Sequence, residues 1–262
     1  MRYLFFLFIS LFLLYSCNSG KQQETRDGSE IAEMAKKIDP DSIAKLETEK
    51  NPVDKPMLMQ PSKEAAKEPP AGMDNISSSA VSQEFRAGTD SYEKGDYTGG
   101  IKHFEKVVSM DPENRKAYYN LGLGRYYAND FQGAIGAFTN ALKISPEDTL
   151  SLLYRGLVYY HINDFRNAIK DYSKAIDINP NWSKAYYNRG TARGRMKDYN
   201  GAILDFNKSI ELKEDNAEAY FNRGIAYHML GNDYEACYDW NKAKSLGYFN
   251  AEKAIQEYCQ DK

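Results

Sequence analysis

The chain has 262 residues, of which 34 are lysine or arginine and 37 are aspartate or glutamate, so its formal net charge is −3. Nucleic-acid-binding proteins usually carry a strong basic face, and this balance argues against that class. Because acidic and basic residues are mixed along the chain, charge alone does not indicate a partner.

The first residues have the pattern of a secretory signal peptide. Arg2 forms a short positive head, and residues 3–15 are almost wholly apolar. An apolar run of this length suits a signal-peptide core and is too short to span a bilayer as a helix. We therefore expect residues 1–16 to be a signal peptide.

The apolar run ends in Leu14-Tyr15-Ser16-Cys17, which resembles the lipobox of bacterial lipoproteins. In that family the chain is cut before the cysteine, which then carries the lipid, although Tyr15 is larger than usual for its position. The resemblance implies that acylated Cys17 anchors the protein in the lipid bilayer. In that family an aspartate after the cysteine is the signal for retention in the inner membrane. This chain has Asn18 there, so the resemblance also implies the outer membrane. An ordinary signal peptide with a chance cysteine is the alternative.

Residues 17–80 are predicted to be the lipidated cysteine and a disordered tether. Residues 18–80 contain six prolines and no phenylalanine, tyrosine or tryptophan. Such a segment cannot bury enough apolar surface to offset the entropy lost on ordering.

From residue 81 to residue 250 the sequence repeats every 34 residues without a gap. The recurring glycines are Gly88, Gly122, Gly156, Gly190 and Gly224. The recurring aromatic residues are Phe104, Phe138, Tyr172, Phe206 and Trp240. Small or short residues recur at Gly100, Ala134, Ala168, Ala202 and Ala236, and at Val107, Ala141, Ala175, Ser209 and Ala243.

This period and spacing resemble the tetratricopeptide repeat (TPR), and the chain resembles bacterial TPR lipoproteins. The resemblance implies an all-α fold, a right-handed α-α superhelical solenoid in which each unit is a pair of helices. The five units are residues 81–114, 115–148, 149–182, 183–216 and 217–250. One unit cannot bury its apolar face alone, so the units stack. Residues 251–262 are predicted to form a capping helix and tail.

Two polar positions vary together among the repeats. Units three to five have an arginine just before the recurring glycine and an aspartate just before the recurring aromatic residue, and units one and two have neither. We predict three ion pairs between the helices of a unit, Arg155–Asp171, Arg189–Asp205 and Arg223–Asp239. Recent duplication of these units, without pairing, is the alternative.

The last unit and the capping helix each contain a cysteine, Cys237 and Cys259. Exported proteins can form disulfides, and a bridge here would fix the cap to the array. Two separate buried thiols are the alternative.

In the TPR family the first helix of each pair lines a concave groove. The resemblance implies a partner-binding groove formed by Phe85, Tyr92, Tyr119, Asn120, Leu123, Tyr126, Leu153, Leu157, Tyr160, Tyr187, Asn188, Phe221 and Asn222. Tyrosine offers a large rigid surface with a polar tip, and asparagine can bond a peptide backbone. Some of these rings could instead pack only between neighbouring helices.

The sequence contains no phosphate-binding loop, zinc-ligand spacing or nucleophile motif. The three histidines, His103, His161 and His228, fall in different units and at different repeat positions. We therefore expect no enzymatic activity, catalytic residue, cofactor, metal, small-molecule substrate or nucleic-acid partner.

The resemblance implies a membrane-anchored scaffold of the bacterial cell envelope that binds protein or peptide partners through its groove. The repeats would face the periplasm from the outer membrane. The alternative is a homo-oligomeric assembly module that uses the ends of the solenoid, because no cap precedes the first unit. A glycan-binding or hydrolytic groove is the weakest possibility, since the groove positions hold no cluster of acidic residues.

Overall fold

The computed structural model describes residues 74–259, and this part of the chain contains eleven α-helices and no strand. The helices are α1 (Asp74–Glu93), α2 (Tyr97–Met110), α3 (Arg115–Tyr127), α4 (Phe131–Ile144), α5 (Thr149–His161), α6 (Phe165–Ile178), α7 (Ser183–Arg195), α8 (Tyr199–Leu212), α9 (Ala217–Met229), α10 (Asp233–Ser245) and α11 (Ala251–Tyr258). The expected all-α solenoid is confirmed. The signal peptide, Cys17 and most of the tether lie outside the described residues.

The helices pack as five consecutive pairs, from α1 with α2 to α9 with α10. The second helix of each pair also contacts the first helix of the next pair. The first helices α3, α5, α7 and α9 contact one another in turn, so they form a continuous row. No helix within residues 74–259 combines the length and apolar character needed to cross a membrane.

The first helix begins before the first repeat. Helix α1 starts at Asp74, whereas the sequence predicted a disordered tether as far as residue 80. Residues 71–93 contain no proline that would interrupt a helix. Residues 74–80 therefore belong to the first helix, and the tether boundary is corrected to that extent.

The recurring glycines let the two helices of each unit come close together. A Cβ atom on Gly122 would lie 2.7 Å from the ring of Phe138, and one on Gly156 would lie 2.6 Å from the ring of Tyr172. Carbon atoms do not approach this closely, so no larger residue fits these positions without moving the ring. Both rings are buried. The core of each unit is therefore built around a glycine–aromatic contact.

Aspartates cap the second helices. The carboxylate of Asp130 accepts a hydrogen bond from the backbone N–H of Gly133 at 2.9 Å, and Asp96, Asp164 and Asp198 cap their helices in the same way. Such a cap satisfies one of the N–H groups that a helix start leaves without a partner. The residue before each of these four caps has a positive φ, and these residues are Gly95, Asn129, Asn163 and Lys197. Gly231 has the same conformation before Asn232, whose side chain makes no cap bond.

The last unit is closed by α11. The Sγ atoms of Cys237, on α10, and Cys259, which follows α11, lie 2.05 Å apart in a disulfide. The ring of Tyr258 also packs against His228 and Trp240, at centroid distances of 4.7 and 5.8 Å. A covalent bond and ring contacts therefore hold the capping helix on the last unit.

Lys197 adopts a φ of 64°, a left-handed conformation that a lysine takes at a cost of about 1 kcal/mol. The equivalent residue of the preceding unit is Asn163, and asparagine tolerates this conformation better. We expect Lys197→Asn to raise the free energy of unfolding by at least about 0.5 kcal/mol, because part of this conformational cost is removed. Urea denaturation would measure the change. The reciprocal Asn163→Lys should lower the stability, and shifts of the same sign in both variants would contradict this explanation.

Candidate functional site

Most of the residues expected to line the groove are buried between helices. The nine buried residues are Phe85, Tyr92, Tyr119, Asn120, Leu123, Tyr126, Leu153, Phe221 and Asn222. The groove assignment is wrong for these nine as contact residues, because the stacking of successive units covers their side chains.

Tyr119 shows how the covering arises. Its side chain has no exposed surface, and its ring contacts Phe138 of the same unit and Tyr154 of the next, at centroid distances of 5.9 and 5.8 Å. Burial raises the pKa of the Tyr119 hydroxyl well above its ordinary value. This repeat position therefore contributes to the contact between units two and three and not to an open groove.

The remaining four expected groove residues are half-buried, and all lie on α5 or α7. They are Leu157, Tyr160, Tyr187 and Asn188. Other half-buried side chains continue the same surface to α9. We call the whole set the inner strip, and it consists of Leu157, Tyr160, Tyr187, Asn188, Thr191, Arg195, Ile225 and Met229. Among the expected groove residues, the accessible ones thus belong to units three and four, and the surface continues into unit five.

Three of the first helices, α3, α5 and α7, are rich in basic residues. Helices α3, α5 and α7 contain eight lysine or arginine residues and no aspartate or glutamate. The eight are Arg115, Lys116, Arg125, Arg155, Lys184, Arg189, Arg193 and Arg195. Carboxylates from outside these three helices pair with five of the eight, as when Glu105 of α2 accepts a hydrogen bond from Arg125 at 2.8 Å. The five are Arg115, Arg125, Arg155, Arg189 and Arg193.

The structure brings all three predicted ion pairs within hydrogen-bonding distance. In Arg155–Asp171, Nε and Nη2 each donate to one carboxylate oxygen at 2.7 Å. Burial alone would lower the pKa of Arg155, but the hydrogen bonds and charge of Asp171 outweigh it and raise the pKa. The other two pairs, Arg189–Asp205 and Arg223–Asp239, have the same two-pronged geometry.

Each of these arginines also reaches back to the preceding unit. Its Nη1 donates to a polar side chain on the second helix of that unit. The acceptors are Thr139, Ser173 and Asn207, at distances of 3.0, 3.1 and 2.6 Å. We call the three arginines, their aspartates and these acceptors the arginine ladder. Sequence reasoning missed the link between units, although the three acceptors are spaced by 34 residues.

Removing one arginine should leave a buried carboxylate without its charged partner. The carboxylate of Asp239 is 1% exposed, and breaking a buried ion pair from one side costs about 3–5 kcal/mol. We expect Arg223→Met to destabilise the protein by at least about 2 kcal/mol in urea denaturation. Arg166→Met, at an exposed position on α6, is the control and should change little. Equal effects of the two substitutions would contradict a structural role for the ladder.

A series of ring contacts follows the edge where the paired helices turn. The first residue of the second helix is aromatic in units one to three, and it packs against a tyrosine near the end of the first helix. The pairs Tyr92–Tyr97, Tyr126–Phe131 and Tyr160–Phe165 have centroid distances of 5.5, 6.2 and 5.4 Å.

The next unit adds a further contact to each of these second-helix rings. Tyr127 stacks on Tyr97 at 4.9 Å, and His161 stacks on Phe131 at 6.0 Å. The guanidinium of Arg195 lies 5.2 Å from the centroid of the Phe165 ring. We call these contacts the aromatic spine, and its members are Tyr92, Tyr97, Tyr126, Tyr127, Phe131, Tyr160, His161, Phe165 and Arg195. Sequence reasoning missed Tyr97, Phe131 and Phe165, although the same alignment by 34 residues shows them.

The three histidines each have a separate partner. His103 bonds to Glu84 at 2.6 Å, and His228 bonds to Asp233 at 2.6 Å. His161 bonds to the hydroxyl of Tyr126 at 2.8 Å. Within residues 74–259 no three histidine, cysteine, aspartate or glutamate side chains come together in a way that could hold a metal ion.

Comparison with protein-family models identifies the repeats. Tetratricopeptide-repeat models match residues 85–123, 115–148 and 150–181, and a TPR repeat model matches residues 195–231. The chain belongs to the tetratricopeptide-repeat family. Arrays of this kind are scaffolds for protein–protein interaction, and this TPR protein shares that general role. No curated protein sequence matches the chain.

Several solved structures have the same fold. A crystal structure of MamA is 26% identical, with a TM-score of 0.59 over 63% of this chain and 96% of that chain. MamA from Desulfovibrio magneticus RS-1 is 16% identical, with a TM-score of 0.62 over 70% and 98% of the two chains. YrrB, described as a TPR protein with an unusual peptide-binding site, is 19% identical, with a TM-score of 0.59 over 66% and 90%.

Proposed function

We propose that this TPR protein is a lipid-anchored scaffold of the bacterial cell envelope that binds a segment of a partner protein on its inner strip. The observation that carries the proposal is the accessibility of this strip. At one repeat position stacking buries Thr89 and Leu123 of units one and two, but it leaves the equivalent residues of units three to five half-buried, and these are Leu157, Thr191 and Ile225. The peptide-binding site named for YrrB, which has the same fold, supports a peptide ligand.

The chemistry of the inner strip suits an extended polypeptide. Leu157 and Ile225 offer apolar surface, while Tyr160 and Tyr187 offer rigid rings with polar tips. The side-chain amide of Asn188 can donate to and accept from a peptide backbone. The inner strip contains no histidine, cysteine, aspartate or glutamate, which are the side chains that most often carry catalysis, so we also propose that the protein is not an enzyme.

The proposed location rests on both ends of the chain. A disulfide such as Cys237–Cys259 persists in oxidising compartments, whereas the cytosol keeps thiols reduced. The signal-peptide pattern and the lipobox-like ending at Cys17 support export and acylation. The repeats would then face the periplasm from the outer membrane, where the partners would be proteins or peptides of the envelope.

A photo-crosslinking amino acid placed in the inner strip should capture the partner in intact cells. We expect the same adduct from position Asn188 on α7 and from Leu157 on α5, because one bound segment would cross both helices. Lys170, an exposed residue of the second helix α6, is the control position and should give no such adduct. Mass spectrometry would identify the captured protein.

Two results of this experiment would count against the proposal. Equal capture from Lys170, or no capture from Asn188 and Leu157, would contradict the inner strip as the binding surface. An adduct of twice the mass of the chain would instead favour the alternative, a homo-oligomeric assembly module.

The proposed acylation of Cys17 can be tested separately. Replacing Cys17 with serine should abolish incorporation of radiolabelled palmitate, because no other residue of the lipobox-like ending carries a thiol. Cys237→Ser, which removes a different cysteine, should keep the label. Palmitate that remains on Cys17→Ser would contradict acylation at this residue.

A further inference from the structure

The aromatic spine stops abruptly at unit four. In units one to three the tyrosine near the end of the first helix is Tyr92, Tyr126 or Tyr160, and each packs on the first ring of the second helix. In unit four the equivalent of that tyrosine is Gly194. The first residue of the second helix is still aromatic, since it is Tyr199. No ring of residues 74–259 stacks on Tyr199 in the way that Tyr160 packs on Phe165.

The fold itself does not require a glycine at position 194. A Cβ atom on Gly194 would meet no other heavy atom within 4 Å, whereas a Cβ atom on Gly122 would strike the Phe138 ring at 2.7 Å. Gly194 also lies in the last turn of α7, where glycine is less favourable than alanine by at most about 1 kcal/mol. The helix thus gives up stability and leaves open space at the place where units one to three hold a tyrosine ring and unit five holds the ring of His228.

The open space adjoins the inner strip. Thr191 and Arg195, which belong to the strip, lie within one turn of Gly194 on α7. The guanidinium of Arg195 is turned towards unit three, where it lies 5.9 Å from the centroid of the Tyr160 ring. A side chain entering the space at Gly194 would therefore come from a ligand that already crosses the inner strip.

We propose that the space at Gly194 receives an aromatic side chain of the bound partner segment, which completes the aromatic spine by packing on Tyr199. The geometry to be reproduced is that of Tyr160 on Phe165, with centroids 5.4 Å apart. The charge of the surroundings indicates the flanking residues. Arg195, which directly follows Gly194, is the one charged member of the inner strip, so an aspartate or glutamate next to the aromatic residue of the segment complements it. This inference rests on the proposed function and specifies its ligand.

The test uses a random dodecapeptide display library, panned against the full-length protein. We expect the enriched peptides to share an aromatic residue with acidic neighbours. Gly194→Tyr should weaken their binding at least about tenfold, because the protein's own ring then occupies the space and one buried anchor is lost. Fluorescence polarisation of labelled peptides would measure the affinities.

Gly136→Tyr is the matched control. Gly136 is also a helical glycine whose added Cβ atom would meet nothing within 4 Å, but it lies on the second helix α4, away from the inner strip. It should bind the peptides like the wild type. Should Gly194→Tyr fold poorly, Tyr199→Leu removes the ring on which the ligand would pack, and it should weaken binding without filling the space.

The outcomes separate this inference from the proposed function. Peptides without an aromatic residue, or peptides that bind Gly194→Tyr and Tyr199→Leu as tightly as the wild type, would overturn the inference and leave the inner strip as a binding surface. Failure to enrich any peptide would overturn it as well. Crosslinking from Asn188 tests the proposed function independently of these results.

Discussion

The close contact between a glycine of the first helix and an aromatic ring of the second determines the geometry of every unit. At Gly156 and Tyr172 the approach leaves no room for a Cβ atom. The residues just before these two in sequence are Arg155 and Asp171, and the same approach brings their side chains face to face in a two-pronged ion pair. The arginine ladder is therefore a consequence of the helix crossing, and each rung adds a hydrogen bond to the unit before it.

The 34-residue periodicity of the sequence was enough to predict the fold, but it did not show which side chains are exposed on the surface. A 34-residue repeat with recurring small and aromatic residues specifies the helix pairs, but it does not give the separation between units. Tyr119 and Tyr187 occupy the same repeat position, yet only Tyr119 is fully buried. The difference comes from the following unit, where a ring, Tyr154, faces Tyr119 and a smaller amide, Asn222, bonds the hydroxyl of Tyr187 at 3.0 Å. Burial thus depends on pairs of residues in different units, which a single repeat position does not reveal.

Two kinds of contact join the units, and they are distributed unequally along the array. The aromatic spine links units one to three and reaches unit four through Arg195, while the arginine ladder begins at unit three, where Arg155 reaches Thr139 of unit two. Unit three takes part in both. In arrays of this kind stability is approximately a sum of the stability of each unit and of the contacts with its neighbours. The aromatic spine thus joins mainly the amino-terminal units, and the arginine ladder joins the carboxyl-terminal ones.

The disulfide between Cys237 and Cys259 makes the two ends of the array unequal. Because the disulfide ties the end of α11 to α10, the capping helix cannot separate from the last unit by itself, whereas no disulfide within residues 74–259 holds α1 on α2. Suppose that the protein is held at a lipid surface by its amino terminus and that a bound partner pulls on the inner strip. The force between these two points would then pass through units one and two. Those two units would then extend first under force, while units three to five, which form the inner strip, keep their structure.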